Sequence, residues 1–229
     1  MVSALIIPAF NEAPVIQQTL RSIPSGLFAT IIVADNGSTD ETGRLAADCG
    51  AMVVQTRQRG YGVACLAAMG KLPPEIAAVV FLQADSSEDV REAEALLSPI
   101  REGRADLVIG SRTLGHAEKG SLLPHQQFGN LVATTVIRLL YGHRYTDLGP
   151  FRAIRRDCLD RLGMREPAYG WTVEMQVRAL GQRLRILEVP VSYRIRAAGE
   201  NKVSGNLKAS VFAGLRIITT ILKLRLGLA

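Results

Sequence analysis

The sequence predicts an α/β fold built on a doubly wound, mostly parallel sheet flanked by helices. Over the first 110 residues, short β-branched runs alternate with helical stretches. Those runs are apolar throughout rather than alternating, and polar residues gather just past their carboxyl ends. Continuous apolar runs mark strands covered on both faces. Strand–helix alternation with right-handed crossovers then builds a parallel sheet.

In chain order, residues 3–8 (SALIIP) read as a buried strand and 13–22 as a helix. Residues 29–35 (ATIIVAD) are a second strand and 40–49 a helix that Ser38 and Thr39 can cap. A third strand at 51–55 leads past Gly60 into a helix at 61–70, and a fourth at 77–85 (AAVVFLQAD) into a helix at 89–100. Residues 105–110 (ADLVIG) form the fifth strand. Beyond it the pattern predicts helices at 128–141, 156–162 and 172–180, with an irregular piece at 147–152. Residues 184–193 return as a strand whose Pro190 suits a sheet edge or a bulge. A polar, basic loop at 194–205 precedes an amphipathic tail at 207–228, so one domain at 1–205 and a C-terminal helix at 206–229 are expected.

At 229 residues the fold hides roughly 70% of the unfolded chain's surface and needs no staple. Apolar residues at 48% and charged residues at 21% exclude collagen, disordered tails and disulfide scaffolds. Cys49, Cys65 and Cys158 lie far apart in apolar settings, as buried thiols of a reducing, cytoplasmic compartment do. The opening MVSALIIPAFNEA carries no basic leader, and no window offers ~18 uninterrupted apolar residues. With 27 Lys+Arg against 21 Asp+Glu the net charge is +6, which alone does not choose among anionic partners. The basic residues are not interleaved with aromatics, which argues against nucleic acid.

In open parallel sheets, ligands collect beyond the carboxyl ends of the strands. There the chain places Asn11 and Glu12, Asp35, Asn36 and Asp40, then Asp85, then Arg112. Neither GxGxxG nor GxxxxGK[ST] is present, and a proline ends strand one where a dinucleotide fold needs glycine. The segment PAFNEA likewise argues against a sugar-phosphate nucleotidyltransferase, which wants a Gly-rich basic loop there. Glu12 and Asp35 either supply nucleoside partners or cap the following helices. Gly60-Tyr61-Gly62 either lets backbone approach a ligand or makes a loop-to-helix turn. Asp85 either holds a divalent cation or caps a helix. Trp171 reads equally as a sugar platform or a core plug, and His116, His125 and His143 show no metal spacing.

The blocks IIPAFNEA at 6–13, IIVADNGSTDET at 31–42, RGYGVA at 59–64 and FLQAD at 81–85 occur in the order seen in family 2 glycosyltransferases. DLVIGSR at 106–112, TDLGPFRAIRR at 146–156 and LEVPVSYRIRAAGENK at 187–202 extend the match over nearly the whole chain, which resembles the dolichyl- or polyprenyl-phosphate sugar transferase branch. The resemblance implies a GT-A fold, a nucleotide-diphosphate sugar donor of UDP-glucose or GDP-mannose type, Mg²⁺ or Mn²⁺, and inversion at the anomeric carbon. It implies donor contacts from Pro8, Ala9, Asn11, Glu12, Asp35, Gly37, Tyr61, Gly62, Gln83, Ala84, Asp85, Arg194 and Lys202, with Asp85 on the metal. The family's DxD element falls on Gln83-Ala84-Asp85, where Gln83 replaces the first Asp and brings no charge. That departure is what a degenerate nucleotide-sugar-binding protein with little turnover would show.

Arg112, Arg152, Arg194, Arg196 and Lys202 are cations that the resemblance places near the substrates, Arg112 as a stabiliser of the leaving diphosphate. A polyprenyl-phosphate acceptor is already ionised. A hydroxyl acceptor needs a carboxylate base, for which Asp147 and then Glu174 are the candidates. The tail, with Lys208, Arg216, Lys223 and Arg225 among apolar residues, either lies peripherally on a membrane or packs on its own domain or on a second copy in a homo-oligomer.

Overall fold

A computed structural model describes residues 1–198 and 207–228 of the chain, so Lys202 lies outside the described residues. Strands β1 (Ser3–Ala9), β2 (Thr30–Asp35), β3 (Met52–Gln55), β4 (Ala78–Phe81), β5 (Leu107–Ser111), β6 (Arg152–Arg155) and β7 (Ile186–Pro190) form one sheet in the order β3-β2-β1-β4-β6-β5-β7. Helices α1 (Ile16–Arg21), α2 (Thr42–Asp48), α3 (Tyr61–Met69), α4 (Ala93–Arg101), α5 (Pro124–Tyr141), α6 (Arg156–Leu162), α7 (Trp171–Gly181) and α8 (Leu207–Arg225) accompany it.

Alternate residues of the central strands feed two cores. Leu5, Ile7, Val33, Val80 and Val108 face one side with Ile16, Leu20, Leu96 and Leu97 of α1 and α4. Ile6, Ile32, Val79, Phe81 and Leu107 face the other, with Cys65 of α3, Ile137 of α5 and Trp171 of α7. Both faces are thus covered, the condition under which the strands are continuously apolar. Trp171 is a core plug: it is fully buried, with its ring 4.7 Å from Phe81 and 6.0 Å from Tyr61. Cys65 and Cys158 are buried and Cys49 half-buried.

The fourth strand ends at Phe81, four residues before Asp85, because residues 82–85 leave the ladder for the loop that carries the site. Pro190 closes β7, an edge strand, where its missing N–H costs nothing. The departure from expectation is β6. The segment read as irregular, 147–152, ends where β6 begins; residues 152–155, for which no strand was expected, enter the sheet antiparallel to both neighbours, with Phe81 opposite Arg152 on one side and Ile109 opposite Arg152 on the other. Four short residues carry this strand, too few for a periodic signal, and three of the four are arginine or alanine.

Arg152 is fully buried and so is no substrate cation as the structure stands. Its Nε donates to the Gly149 carbonyl at 3.0 Å, Nη1 to Thr172 at 2.7 Å and Nη2 to Leu148 at 3.2 Å. Burial pulls its pKa down to about 10, which leaves it a cation at neutral pH. One guanidinium thereby ties the turn before β6 to the start of α7. The expected domain boundary at 205/206 falls among residues not described. Beyond it, α8 lies against α5 and α7: Ile221 is fully buried, Tyr141 Oη donates to the Ile221 carbonyl at 3.2 Å, and Arg216 pairs with Glu166 at 2.5 Å.

Replacing Arg152 by Met leaves several buried carbonyls without donors. The variant should unfold about 3 kcal/mol more easily in urea, and a loss below ~0.5 kcal/mol, the range of an inconsequential surface change, would contradict this role.

Candidate active site

The site is assembled where β1, β2 and β4 end. Ala9 is in register with Asp35, and the loops beyond them are stitched together. The Asn36 amide donates to the Ala9 carbonyl at 2.8 Å, the Asn11 amide to Ser38 Oγ at 3.0 Å and the Thr39 amide to Asn11 Oδ1 at 2.8 Å. Asn11 and Gly37 both take left-handed backbone, φ 51° and 73°, to turn the two loops toward each other. The Glu12 amide donates to Thr42 Oγ1 at 2.8 Å, which fixes where the Glu12 carboxylate emerges. Asp35 accepts from the Ser38 amide at 2.9 Å. Gly43 keeps α2 close to it, since a Cβ there would lie 2.9 Å from Asp35 Oδ2.

After β4, the loop folds around Asp85. Its Oδ1 accepts from the Ser87 amide at 3.1 Å and from Ser87 Oγ at 2.5 Å. Ser86, at φ 59°, turns the chain so that Glu88 reaches back and its Oε2 accepts from the Gln83 amide at 2.8 Å. Glu88 Oε1 is buried with no partner, and burial, with the neighbouring Asp85 charge adding to it, pushes the carboxyl up to about 8. Gln83 Oε1 accepts a long bond from Ser87 Oγ at 3.4 Å, so the amide standing at the first DxD position turns into the loop.

Residues 192–198 cross this loop. The Arg194 amide donates to the Ser87 carbonyl at 2.7 Å and the Ala197 amide to the Asp85 carbonyl at 3.3 Å. The crossing delivers Arg196, whose Nη1 lies 3.3 Å from Asp85 Oδ2 while Nη2 pairs with Glu12. Carboxylates from β1 and β4 therefore converge on one positive charge. Glu12, Asp35 and Asp85 are 7%, 5% and 9% exposed, so each is reachable only from within this cleft. Among the described residues no three His, Cys, Asp or Glu side chains form a closed metal cage. An open site with one or two carboxylates suits a hard cation that takes its remaining oxygens from phosphate and water.

Arg112 and Asp147 form a second unit. Nε and Nη2 of Arg112 donate to the two Asp147 oxygens at 2.8 and 2.7 Å, and its amide adds a third bond at 2.9 Å. Burial disfavours the Arg112 cation, but the hydrogen bonds and charge of Asp147 outweigh it and raise the pKa. The Arg112 guanidinium also sits 5.1 Å from the Tyr193 ring centre. Asp147 itself is fully buried, so the carboxylate expected to act as base holds Arg112 instead. Glu188 positions the pair: it accepts from the Asp147 amide at 3.1 Å and from Thr146 Oγ1 at 2.8 Å. Sequence reasoning passed over Glu188, although an acid inside the apolar run LEVPV was the available signal.

Other expected site residues lie elsewhere or serve packing. Glu174, the second candidate base, is buried on α7 and accepts from the Arg165 and Glu166 amides at 3.1 and 2.8 Å and from Arg178 at 2.8 Å. It borders a cavity of about 550 Å³ against α8, shared with Arg216 and Lys223, rather than the strand-end cleft. Gly60 and Gly62 admit the chain at 166–167: a Cβ on Gly62 would lie 1.9 Å from the Glu166 carbonyl oxygen, and one on Gly60 2.2 Å from that of Pro167. The close approach is thus to backbone. Tyr61 turns its ring toward Trp171. Arg194 is half-exposed and pairs with Asp89 at 2.9 Å. Pro8 and Ala9 belong to β1, and Ala84 is buried beneath the Asp85 loop.

Comparison with known proteins agrees with this geometry. The model of Glycosyl transferase family 2 matches residues 4–163. An uncharacterized glycosyltransferase of Mycobacterium tuberculosis is 35% identical over 210 residues, covering 91% of this chain and 93% of its own. The undecaprenyl-phosphate mannosyltransferase of Micrococcus luteus is 30% identical over 214 residues, covering 88% and 87%. Among solved structures, glucosyl-3-phosphoglycerate synthase from M. tuberculosis, in complex with Mn²⁺, UDP and phosphoglyceric acid, superposes with a TM-score of 0.78 at 22% identity, over 100% of this chain and 79% of its own. The fold is therefore GT-A, and the chain belongs to glycosyl transferase family 2.

Proposed function

We propose that this glycosyltransferase moves a hexose from a nucleotide-diphosphate sugar to a polyprenyl-phosphate acceptor at a membrane surface, in one in-line displacement that inverts the anomeric carbon. The observation that supports the acceptor class is that the two carboxylates the sequence singles out as a base for a hydroxyl acceptor are both engaged. Asp147 is buried against Arg112, and Glu174 against Arg178 and two amides. A phosphate monoester arrives ionised and needs no base. The undecaprenyl-phosphate mannosyltransferase of M. luteus and the polyprenol monophosphomannose synthase of Mycolicibacterium smegmatis, 28% identical over 229 residues, carry this acceptor class in their names.

For the donor, Glu12 and Asp35 are the nucleoside-side acceptors and Asp85 the metal ligand, with Pro8, Ala9, Asn11 and Gly37 shaping the loops around them. A divalent ion, the species crystallised as Mn²⁺ with UDP in the synthase neighbour, supplies charge neutralisation of the diphosphate. Arg112, oriented by Asp147, faces the same loop and stabilises the departing diphosphate. Lys202 completes the donor contacts in this reading.

The membrane side is supplied by α5 and α8. Packed together, they turn Phe128, Leu131 and Leu139, and Val211, Phe212, Leu215 and Leu222, to solvent, with Leu139 78% and Phe212 73% exposed. Neither helix contains an acidic residue, whereas Arg138, Lys223 and Arg225 flank the apolar side chains. An anionic bilayer complements such a face, while a second copy would set cation against cation. Among the described residues no helix is long and apolar enough to cross a membrane, and in this reading the α5–α8 face lies on the bilayer surface.

Thermal shift with UDP- and GDP-sugars plus Mn²⁺ should identify one stabilising donor, and Asp85→Asn should lose that shift. Product formation on undecaprenyl phosphate, with none on phosphoglyceric acid, supports the acceptor. Binding without nucleotide release would favour a sugar-nucleotide-binding protein, the outcome that Gln83 makes worth testing. Gln83→Asp should raise Mn²⁺ affinity about tenfold by titration calorimetry. Co-sedimentation with phosphatidylglycerol vesicles should fall at least about fivefold in a Phe212→Ser/Leu215→Ser variant, and equal pelleting would remove the membrane reading.

A further inference from the structure

Glu12, Asp35 and Asp85 are buried residues at adjacent strand ends, an arrangement of carboxylates that is costly without a compensating cation. The cation that reaches two of them comes from the chain itself. Arg196 joins Glu12 to Asp85, and its side chain is only 16% exposed. It is aimed rather than loosely placed. The Tyr193 amide is bonded to the His116 carbonyl at 3.0 Å, the Arg194 amide to Ser87 and the Ala197 amide to Asp85, while Arg196 Nε donates to the Ala198 carbonyl at 2.6 Å.

We infer that Arg196 is the resident counter-cation of the donor site, exchanged for a divalent ion when the sugar nucleotide arrives, so that ion and nucleotide bind together rather than the ion first. This rests on the proposed donor reading, in which Asp85 holds the ion. Asp85 Oδ1 is engaged by Ser87, which leaves Oδ2, the atom Arg196 occupies, as the oxygen offered to an ion. Two cations on one carboxylate oxygen repel strongly at such separations. Gln83 stands where a second carboxylate would hold the ion independently, so the ion has no alternative anchor at that position. A diphosphate changes the balance on both sides. Its oxygens complete the coordination of the ion, and its charge offers the displaced guanidinium a new partner. The two ligands are then coupled, each raising the affinity of the other by the same factor.

Free Mn²⁺ measured by electron paramagnetic resonance, on the full chain with and without UDP or GDP, tests the exchange without relying on turnover. Wild type should bind Mn²⁺ weakly alone and far more tightly with nucleotide. Arg196→Gln should bind Mn²⁺ alone about tenfold more tightly than wild type and gain less from nucleotide, whereas Arg196→Lys, which keeps the charge, should stay near wild type. Melting temperatures verify that each variant is folded. The inference is overturned if Arg196→Gln binds Mn²⁺ alone no better than wild type. It is equally overturned, from wild type by itself, if Mn²⁺ binds as tightly without nucleotide as with it. Failure of every nucleotide to bind would sink the donor reading, while the Mn²⁺-only comparison would still decide the role of Arg196.

Discussion

The antiparallel insertion of β6 between β4 and β5 is the constraint on which the half of the molecule carrying Arg112 and Asp147 depends. A fully parallel sheet would let the fifth strand lie directly beside the fourth. Here a third strand separates them, entered through a turn at 147–151 that needs a buried cation to satisfy its carbonyls. Arg152 supplies that cation, and its reach to the Thr172 carbonyl locks the first turn of α7 to the same point. The turn in turn presents Asp147, which fixes Arg112 at the end of β5. A buried guanidinium with carbonyl partners thus determines where the largely buried Arg112 guanidinium is held.

Charge is distributed across the cleft in a graded way. Where β1, β2 and β4 end, Arg196 reaches the Glu12 and Asp85 carboxylates, and Asp35 lies beside them. On the β5 side, the Arg112–Asp147 pair is balanced within itself and screened by Tyr193. Glu88 lies between the two regions, feeling Asp85 and Asp147 as like charges and Arg112 as an opposite one. Burial, with the Asp85 charge adding to it, raises its pKa and so favours the neutral carboxyl between these charges.

Much of this was legible in the sequence because the strands are buried on both faces and therefore announce themselves as apolar blocks. The helix at 156–162 coincides with α6, and the strand ends carrying Glu12, Asp35 and Asp85 were found from their position after those blocks. What escaped has physical reasons. β6 is four residues long and opens with an arginine, a pattern that hydropathy reads as surface. The engagement of Asp147 and Glu174 is a property of partners 35 and four residues away, Arg112 and Arg178, and spacing does not disclose which carboxylate a given arginine will choose. Gly60 and Gly62 read either as admitting a ligand or as a loop-to-helix turn, whereas the backbone they admit in the structure is that of residues 166–167, which the local pattern does not disclose.

That last contact limits how the chain can change. Glu166 lays its carbonyl on Gly62 and gives its carboxylate to Arg216, while Gly170, just after it, faces Thr220 Oγ1 at 2.4 Å from where a Cβ would stand. The start of α3, on the cleft side, and α8, on the outer side, are therefore wedged against opposite ends of one short loop. A bulkier residue at 62 or 170 has no empty volume to occupy. A side chain at 62 would have to push the 166–167 backbone aside and one at 170 the Thr220 and Glu166 side chains, so both ends of this loop are coupled through its packing.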